Sequence, residues 1–121
     1  MSKIVAAVFL LGFCTPGLAA SALEGLLAKQ GFKHLNGGQI RQAFVGKKFT
    51  DEVHFGYAYK ADGSTEGMSM GKKHTGKFVI ADNRLCVTDR FGEICYDVWK
   101  KGPEVRLVVG ESDLSLDGFL R

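Results

Sequence analysis

The sequence is poor in the residues that mark linkers, metal sites and reactive thiols. It contains two prolines, one tryptophan, three histidines and three cysteines. No repeat, low-complexity tract or linker divides it, so we expect one folded domain. Zinc-type spacing of cysteine and histidine is missing. A nucleophile elbow, a His-x-x-x-His pair and a glycine-rich phosphate loop are missing too, so no motif identifies an enzyme class.

Long apolar runs are absent except near the first residue. Lys3, an apolar stretch over 4–13 and small residues over 18–20 form the three-part pattern of a secretory signal peptide. The stretch is too short to span a bilayer, which takes about 20 apolar residues. We expect 1–20 to be a cleavable Sec-type signal and 21–121 to be one mature domain, periplasmic or secreted. Cleavage is expected after Ala19, Ala20 or Ala22.

The sequence has no large excess of charge of either sign. The net charge is +3, and loss of the signal with Lys3 reduces it by one, so an anionic partner is neither required nor excluded. The signal also contains Cys14, which leaves Cys86 and Cys95 in the mature chain. Two cysteines, an even number, in an exported protein favour a structural disulfide over a redox couple or half of a metal site.

Two short amphipathic helices are predicted before the strands. The first covers 21–30 and is followed by Gly31. The second covers 38–44, with Asn36 as its N-cap and Gly46 after its end. Their apolar residues are Leu23, Leu26 and Leu27 in the first helix and Ile40 and Phe44 in the second.

From Phe49 onward the apolar period changes to 2, and turn signals recur about every ten residues. This pattern predicts an antiparallel up-and-down meander. Two-residue turns would place Arg84, Asp97 and Arg106 side by side on one face, although Pro103 conflicts with a tight Lys101-Gly102 turn. On these registers Tyr57 faces Met68, Phe55 faces Met70, Ile80 faces Leu85, Phe78 faces Val87, Cys86 faces Cys95, Val98 faces Val105 and Leu107 faces Leu116.

The predicted fold is therefore mainly β, of the α+β class. We expect a strongly curved sheet of six or seven strands with one apolar face, one hairpin disulfide and one or two short N-terminal helices that cover the apolar face. A sheet that curls into a barrel on itself is the alternative.

Six short motifs occur in an order that is similar to a known family. They are Leu35-Asn36-Gly37-Gly38-Gln39-Ile40-Arg41, Gly46-Lys47-Lys48, Asp62-Gly63, Thr75-Gly76-Lys77-Phe78, Leu85-Cys86 and Cys95-Tyr96. The chain resembles small exported proteobacterial proteins of unknown function, which share a helical Leu-x-Gly-x-x-Ile-Arg start and a later Thr-Gly-x-Trp, Leu-Cys and Cys-Tyr meander. Here Phe78 replaces the usual tryptophan. The resemblance implies export, the disulfide and the fold, and no activity.

Candidate chemistry is sparse. Met68, Met70 and His74 offer the thioether and imidazole ligands that suit copper, whereas packing of both methionines into an aromatic core is the alternative. Three lysine pairs would attract anions if they gathered at one rim. Possible catalytic residues are Glu52, His54, Glu66, His74, Ser64, Ser69 and Ser112, and the lysine pairs are Lys47-Lys48, Lys72-Lys73 and Lys100-Lys101.

The expected function is a non-catalytic exported binding module that uses rim loops to hold a protein or an anionic envelope component. Nucleic acid is not expected, because no exposed aromatics for base stacking are identifiable. No cofactor and no catalytic residue is predicted. The main alternative is a carrier of a small apolar ligand, and copper binding and a small hydrolase are further ones. A carrier would need a cavity lined by residues such as Phe55, Tyr57, Phe78 and Tyr96.

Overall fold

The computed structural model describes residues 22–110 and 114–121. The signal predicted over 1–20 lies outside the described residues. No helix in the described part of the chain is long and apolar enough to cross a membrane. The helices are α1 (Ala22–Lys29) and α2 (Gly37–Phe44), and the strands are β1 (Lys33–His34), β2 (Lys47–Thr50), β3 (Phe55–Tyr59), β4 (Ser64–Ser69), β5 (Lys72–Ala81), β6 (Arg84–Asp89), β7 (Gly92–Lys101), β8 (Glu104–Val109) and β9 (Ser115–Leu120).

The strands form one antiparallel sheet that closes on itself. Each strand from β2 to β9 pairs with its neighbour in the chain, and β2 also pairs with β9 through Phe49 opposite Leu120. An eight-stranded barrel results, and β1 pairs beside it with the C-terminal part of β7. The expectation of an open sheet of six or seven strands is therefore wrong, and its alternative, the barrel, is what forms.

The additional strand arises at a turn that contains neither glycine nor proline. The Asp51 carboxylate accepts hydrogen bonds from the backbone N–H groups of Val53, His54 and Phe55. Such bonding from a side chain to the backbone reverses the chain as a glycine turn would. The sequence pattern predicts one strand between Phe49 and the Asp62-Gly63 turn, whereas this reversal makes two strands and places β2 beside β9.

Several predicted registers are confirmed. Asp82 and Asn83 both have positive φ angles, 53° and 59°, as a two-residue type I′ turn requires. The flanking strands then pair as expected, with Ile80 opposite Leu85, Phe78 opposite Val87, Cys86 opposite Cys95 and Leu107 opposite Leu116. A disulfide joins Cys86 to Cys95. It lies on the outer face of the barrel, because both cysteines alternate with interior residues.

The predicted register between β3 and β4 is wrong by one residue. The Lys60 N–H donates to the Ser64 carbonyl across a three-residue loop, in which Gly63 has a φ of 91°. A one-residue shift exchanges the two faces of a strand. Tyr57 is therefore opposite Gly67, and Phe55 is opposite Ser69, instead of Met68 and Met70.

The register between β7 and β8 differs by two residues. The turn is centred on Gly102-Pro103, so that Val98 is opposite Leu107 and not Val105. Pro103 lies inside the turn because it has no N–H to donate to a strand ladder. A shift of two residues keeps every side chain on its predicted face.

The predicted charge ladder is only half correct for the same reason. Arg84 Nε is 3.6 Å from Asp97 Oδ1, as expected. Arg106 lies opposite Trp99 instead of Asp97, and it forms ion pairs with Glu104 and Asp117.

Large side chains fill the barrel interior, and α2 closes one end. Ile40 and Phe44 of α2 are fully buried against the strands. Asn36 and Gln39 form a reciprocal capping box at the start of α2, which confirms the predicted cap. The strand residues of this core are Phe49, Tyr59, Phe78, Leu85, Val98, Val105 and Leu107.

The helix α1 packs on the outside of the barrel, so of the two predicted helices α2 covers the apolar interior and α1 does not. Leu27 contacts a second cluster with Phe32, Trp99 and Val108. This cluster exists because β7 and β8 carry apolar residues on both faces. Leu26, which was expected to face the sheet, is half exposed.

Consecutive connections alternate between the two ends of the barrel. The helix end contains α2 and the turns at 60–63, 82–83 and 102–103. The loop end contains the connections at 51–54, 70–71 and 90–91 and the connection from β8 to β9.

Candidate functional site

Four connections meet at the loop end, and each carries a large apolar side chain exposed to solvent. Val53, Met70, Phe91 and Leu114 are 79%, 73%, 77% and 70% exposed, and we refer to them as the apolar tips. In the described turns of the helix end, no large apolar residue occurs. Exposed apolar residues that gather in one place mark interaction surfaces.

Backbone angles and hydrogen bonds within the turns orient the apolar tips toward solvent. Met70 has a φ of 51° and Gly71 a φ of 79°, so the two residues form a tight turn whose side chains project outward. The Phe91 N–H donates to the Asp89 carboxylate at 2.7 Å, and the Arg90 guanidinium lies 4.9 Å from the centre of the Phe91 ring. Backbone groups are thus bonded within the turns, and the apolar side chains remain outside the core.

Asp51 holds the shape of the connection between β2 and β3. Desolvation alone would raise the pKa of Asp51, but hydrogen bonds from three backbone N–H groups and the His54 ring hold it well below the usual range. The carboxylate lies 2.8 Å from His54 Nδ1. Asp51 therefore stays ionised at neutral pH and fixes the backbone on which Val53 projects.

The barrel mouth at the loop end leads to a small pocket of about 130 Å³. Tyr57 and Tyr96 line it together with His74. Burial raises the pKa of the Tyr96 hydroxyl, and the nearby Asp89 carboxylate adds to the shift. Of the residues predicted to line a ligand cavity, Tyr57 and Tyr96 border this pocket, whereas Phe78 belongs to the buried core and Phe55 is partly buried against that core.

A shallow outer groove of about 920 Å³ adjoins the tips along β2, β3 and β4. Val53 and Met68 border it, and Gly56 and Ala58 lie between them with little or no side chain. Of the four apolar tips, Val53 borders this groove.

The copper candidates are not brought together. Met68 is paired with Lys73 and is half exposed, while His74 is paired with Gly67 and belongs to the interior face. Met70 lies in the turn between them. Met68 and His74 thus point to opposite faces of the sheet, and neither methionine packs into the aromatic core, which was the alternative.

One group of metal-type side chains does occur in the described residues, at Cys86, Glu93 and Cys95. Its two sulfur atoms are joined in the disulfide. They are not available as thiolates, which are the form that binds metals.

The possible catalytic residues are dispersed among separate local pairs. His54 is paired with Asp51, Glu66 with Lys60, and Glu52 with Arg121. Ser64 donates to Asp62, and no hydrogen bond joins a described serine to a histidine. Ser112 lies outside the described residues. The geometry therefore assembles no nucleophile with a base among the residues that are described.

The three lysine pairs are divided between the ends. Lys47-Lys48 begins β2 and Lys100-Lys101 ends β7, both at the helix end, while Lys72-Lys73 begins β5 at the loop end.

Sequence reasoning did not identify Val53, Phe91 and Leu114 as site residues. A single apolar residue inside a polar turn was the available signal. Such a residue indicates a site only when the topology shows that four turns of this kind lie at the same end of the barrel.

Comparisons with protein-family models, with curated proteins and with solved structures find no match to this chain. The resemblance to small exported proteobacterial proteins therefore stays a prediction.

Proposed function

We propose that this chain is an exported, non-catalytic binding module that holds a protein partner at its loop end. The observation that carries the proposal is the exposed apolar residue in each of the four loop-end connections. A rigid scaffold that presents several loops at one end is well suited to recognition. The Cys86–Cys95 disulfide supports export, because disulfides persist in oxidising compartments.

The charges around the tips favour a protein over an anionic membrane surface. Lys72, Lys73 and Arg90 are interspersed with the carboxylates of Asp89 and Glu93. Recognition of anionic lipids relies on clustered basic residues. Apolar anchors within a rim of both charge signs are typical of protein interfaces.

A carrier that holds an apolar ligand inside the barrel has less support. Ligand cavities usually measure about 300–1,000 Å³, whereas the pocket at the barrel mouth measures about 130 Å³. The interior beneath it is occupied by aromatic and aliphatic side chains. This filling favours recognition at the surface.

Site-specific photocrosslinking in the native envelope tests the proposal. A photoreactive amino acid at Phe91 should give a discrete adduct with a protein, and the added substitutions Val53→Ser and Met70→Ser should reduce its yield at least fivefold. The matched control places the same group at Ala61, in an exposed turn of the helix end. An adduct that is common to both positions, or one that the serine substitutions leave unchanged, would contradict the proposal.

Export has its own test. The intact mass of the protein from the envelope fraction should show that residues up to about 20 are missing. Detection of Met1 or Lys3 in that pool would contradict processing by a signal peptidase.

A further inference from the structure

Two lysines occupy positions where the barrel pattern calls for apolar residues. Lys47 lies two residues before the buried Phe49, and Lys100 lies two residues after the buried Val98. Because side chains alternate along a strand, both lysines belong to the interior-facing rows of β2 and β7. They line a groove of about 490 Å³ between α2 and the barrel rim, the helix-end groove.

Three lysines of this region have no ion-pair partner among the described residues. Lys33 lies directly opposite Lys100 in the β1–β7 pair, and like charges in that arrangement are destabilising. None of Lys33, Lys47 and Lys100 forms an ion pair with a described residue, and no carboxylate lines the groove. Lys101, by contrast, donates to the Gln30 carbonyl at 2.9 Å and serves to fix the chain after α1.

The remainder of the helix-end groove is of mixed polarity. Leu35, Pro103 and Leu120 line it, and Gln39 and Gln42 of α2 add neutral amide groups. The groove is open to solvent, and its volume lies within the range of small-molecule sites, about 300–1,000 Å³. It thus places ammonium groups beside three apolar side chains, which are the two kinds of group that an anionic amphiphile would contact.

We propose that the helix-end groove binds a single-chain amphiphile with an anionic headgroup. Lys47 and Lys100 hold the headgroup through charge-assisted hydrogen bonds. The chain lies along Leu35, Pro103 and Leu120. This site is at the opposite end from the apolar tips and does not depend on the proposed protein partner.

Calorimetric titration with dodecanoate, kept below its micelle concentration, tests the site. We expect saturable binding of one dodecanoate per protein. The double variant Lys47→Gln/Lys100→Gln should bind it at least tenfold more weakly. The matched control Lys72→Gln/Lys73→Gln removes the same charge at the loop end and should stay within twofold of the wild type. Thermal melts of both variants verify that the fold is intact.

Three further ligands separate the contributions of the headgroup, the apolar chain and a membrane surface. Acetate, which has the headgroup alone, and dodecanol, which lacks the charge, should each bind at least tenfold more weakly than dodecanoate. Equal losses in the two double variants would show a general charge effect and overturn the proposal. Binding to anionic phospholipid vesicles without binding to monomeric dodecanoate would also overturn it, because a membrane surface and not a groove would then be recognised.

As an independent variant, Gln42→Trp places a bulky ring on the exposed side of α2 that borders the groove. It should weaken dodecanoate binding at least fivefold while both lysines remain. Unchanged affinity in this variant would contradict the placement of the chain.

Discussion

Reduction of the Cys86–Cys95 disulfide should lower the free energy of unfolding by about 2–3 kcal/mol. The two cysteines are nine positions apart, and the chain-entropy relation for a loop of about ten residues gives about 2.7 kcal/mol at 25 °C. The effect falls below this value if the unfolded hairpin stays partly ordered after reduction. In a domain of this size the loss corresponds to a decrease in Tm of roughly 10–20 °C.

Urea unfolding followed by the fluorescence of Trp99, the one tryptophan in the chain, measures this difference between oxidised and reduced protein. The variant Cys86→Ala/Cys95→Ala should match the reduced protein and should not respond to reductant. A difference below about 0.5 kcal/mol between the two redox forms would refute the loop-entropy argument. A response of the alanine variant to reductant would show that the loss arises elsewhere.

Three further predictions concern local structure and are measured by urea unfolding. Gly67→Ala should cost at least about 1–3 kcal/mol, because a Cβ there would overlap the Gly56 carbonyl oxygen. By contrast, the Cβ of Gly25→Ala in α1 meets no atom within 4 Å, so this control should be neutral or stabilising by up to about 1 kcal/mol. Asn36→Ala should cost about 1 kcal/mol through the lost cap of α2. The lowered pKa of Asp51 means that its stabilisation is present above the unfolded value, 3.8, and is lost as the pH falls through the lower folded value. The stability gap between wild type and Asp51→Asn should therefore stay constant from pH 7 to about pH 5 and narrow progressively between there and pH 2, and a gap that is still constant down to pH 2 would contradict this reasoning.

Local chemistry explains why part of the fold is predictable from the sequence. The Asp82-Asn83 turn and the Arg90-Phe91 turn carry strong short-range signals, so the pairing across them follows by counting residues. That counting places Cys86 opposite Cys95. These features depend on fewer than twenty consecutive residues, within which the turn residues determine the register.

Closure of the barrel depends on information that a local pattern does not contain. Phe49 and Leu120 are paired across almost the whole domain, and nothing near either residue indicates the other. The Asp51 turn is also difficult to predict from local sequence. Its signal is one carboxylate in a run that also contains Val53 and Phe55, which are typical strand residues.

The candidate site was less predictable than the fold. The cluster of Met68, Met70 and His74 is close in sequence, but Met68 and His74 lie on opposite faces because strands alternate. The apolar tips are far apart in sequence and converge only in the barrel. Residues that a topology collects from four turns cannot be recognised as a group until that topology is known.

Closure of the barrel also limits how this protein can recognise anything. A free strand edge would allow a partner to add a strand through backbone hydrogen bonds. Closure of β2 onto β9 removes the edges of the eight barrel strands and leaves the two-residue β1 as an edge strand, so recognition should rely mainly on side chains. Exposed apolar residues occur on the outer wall and on α1, at Val79, Met68 and Leu26, but the most exposed ones lie in the loop-end connections, and interior-facing lysines lie at the helix end. Because departures from local rules concentrate at functional sites, both ends are where binding should be sought.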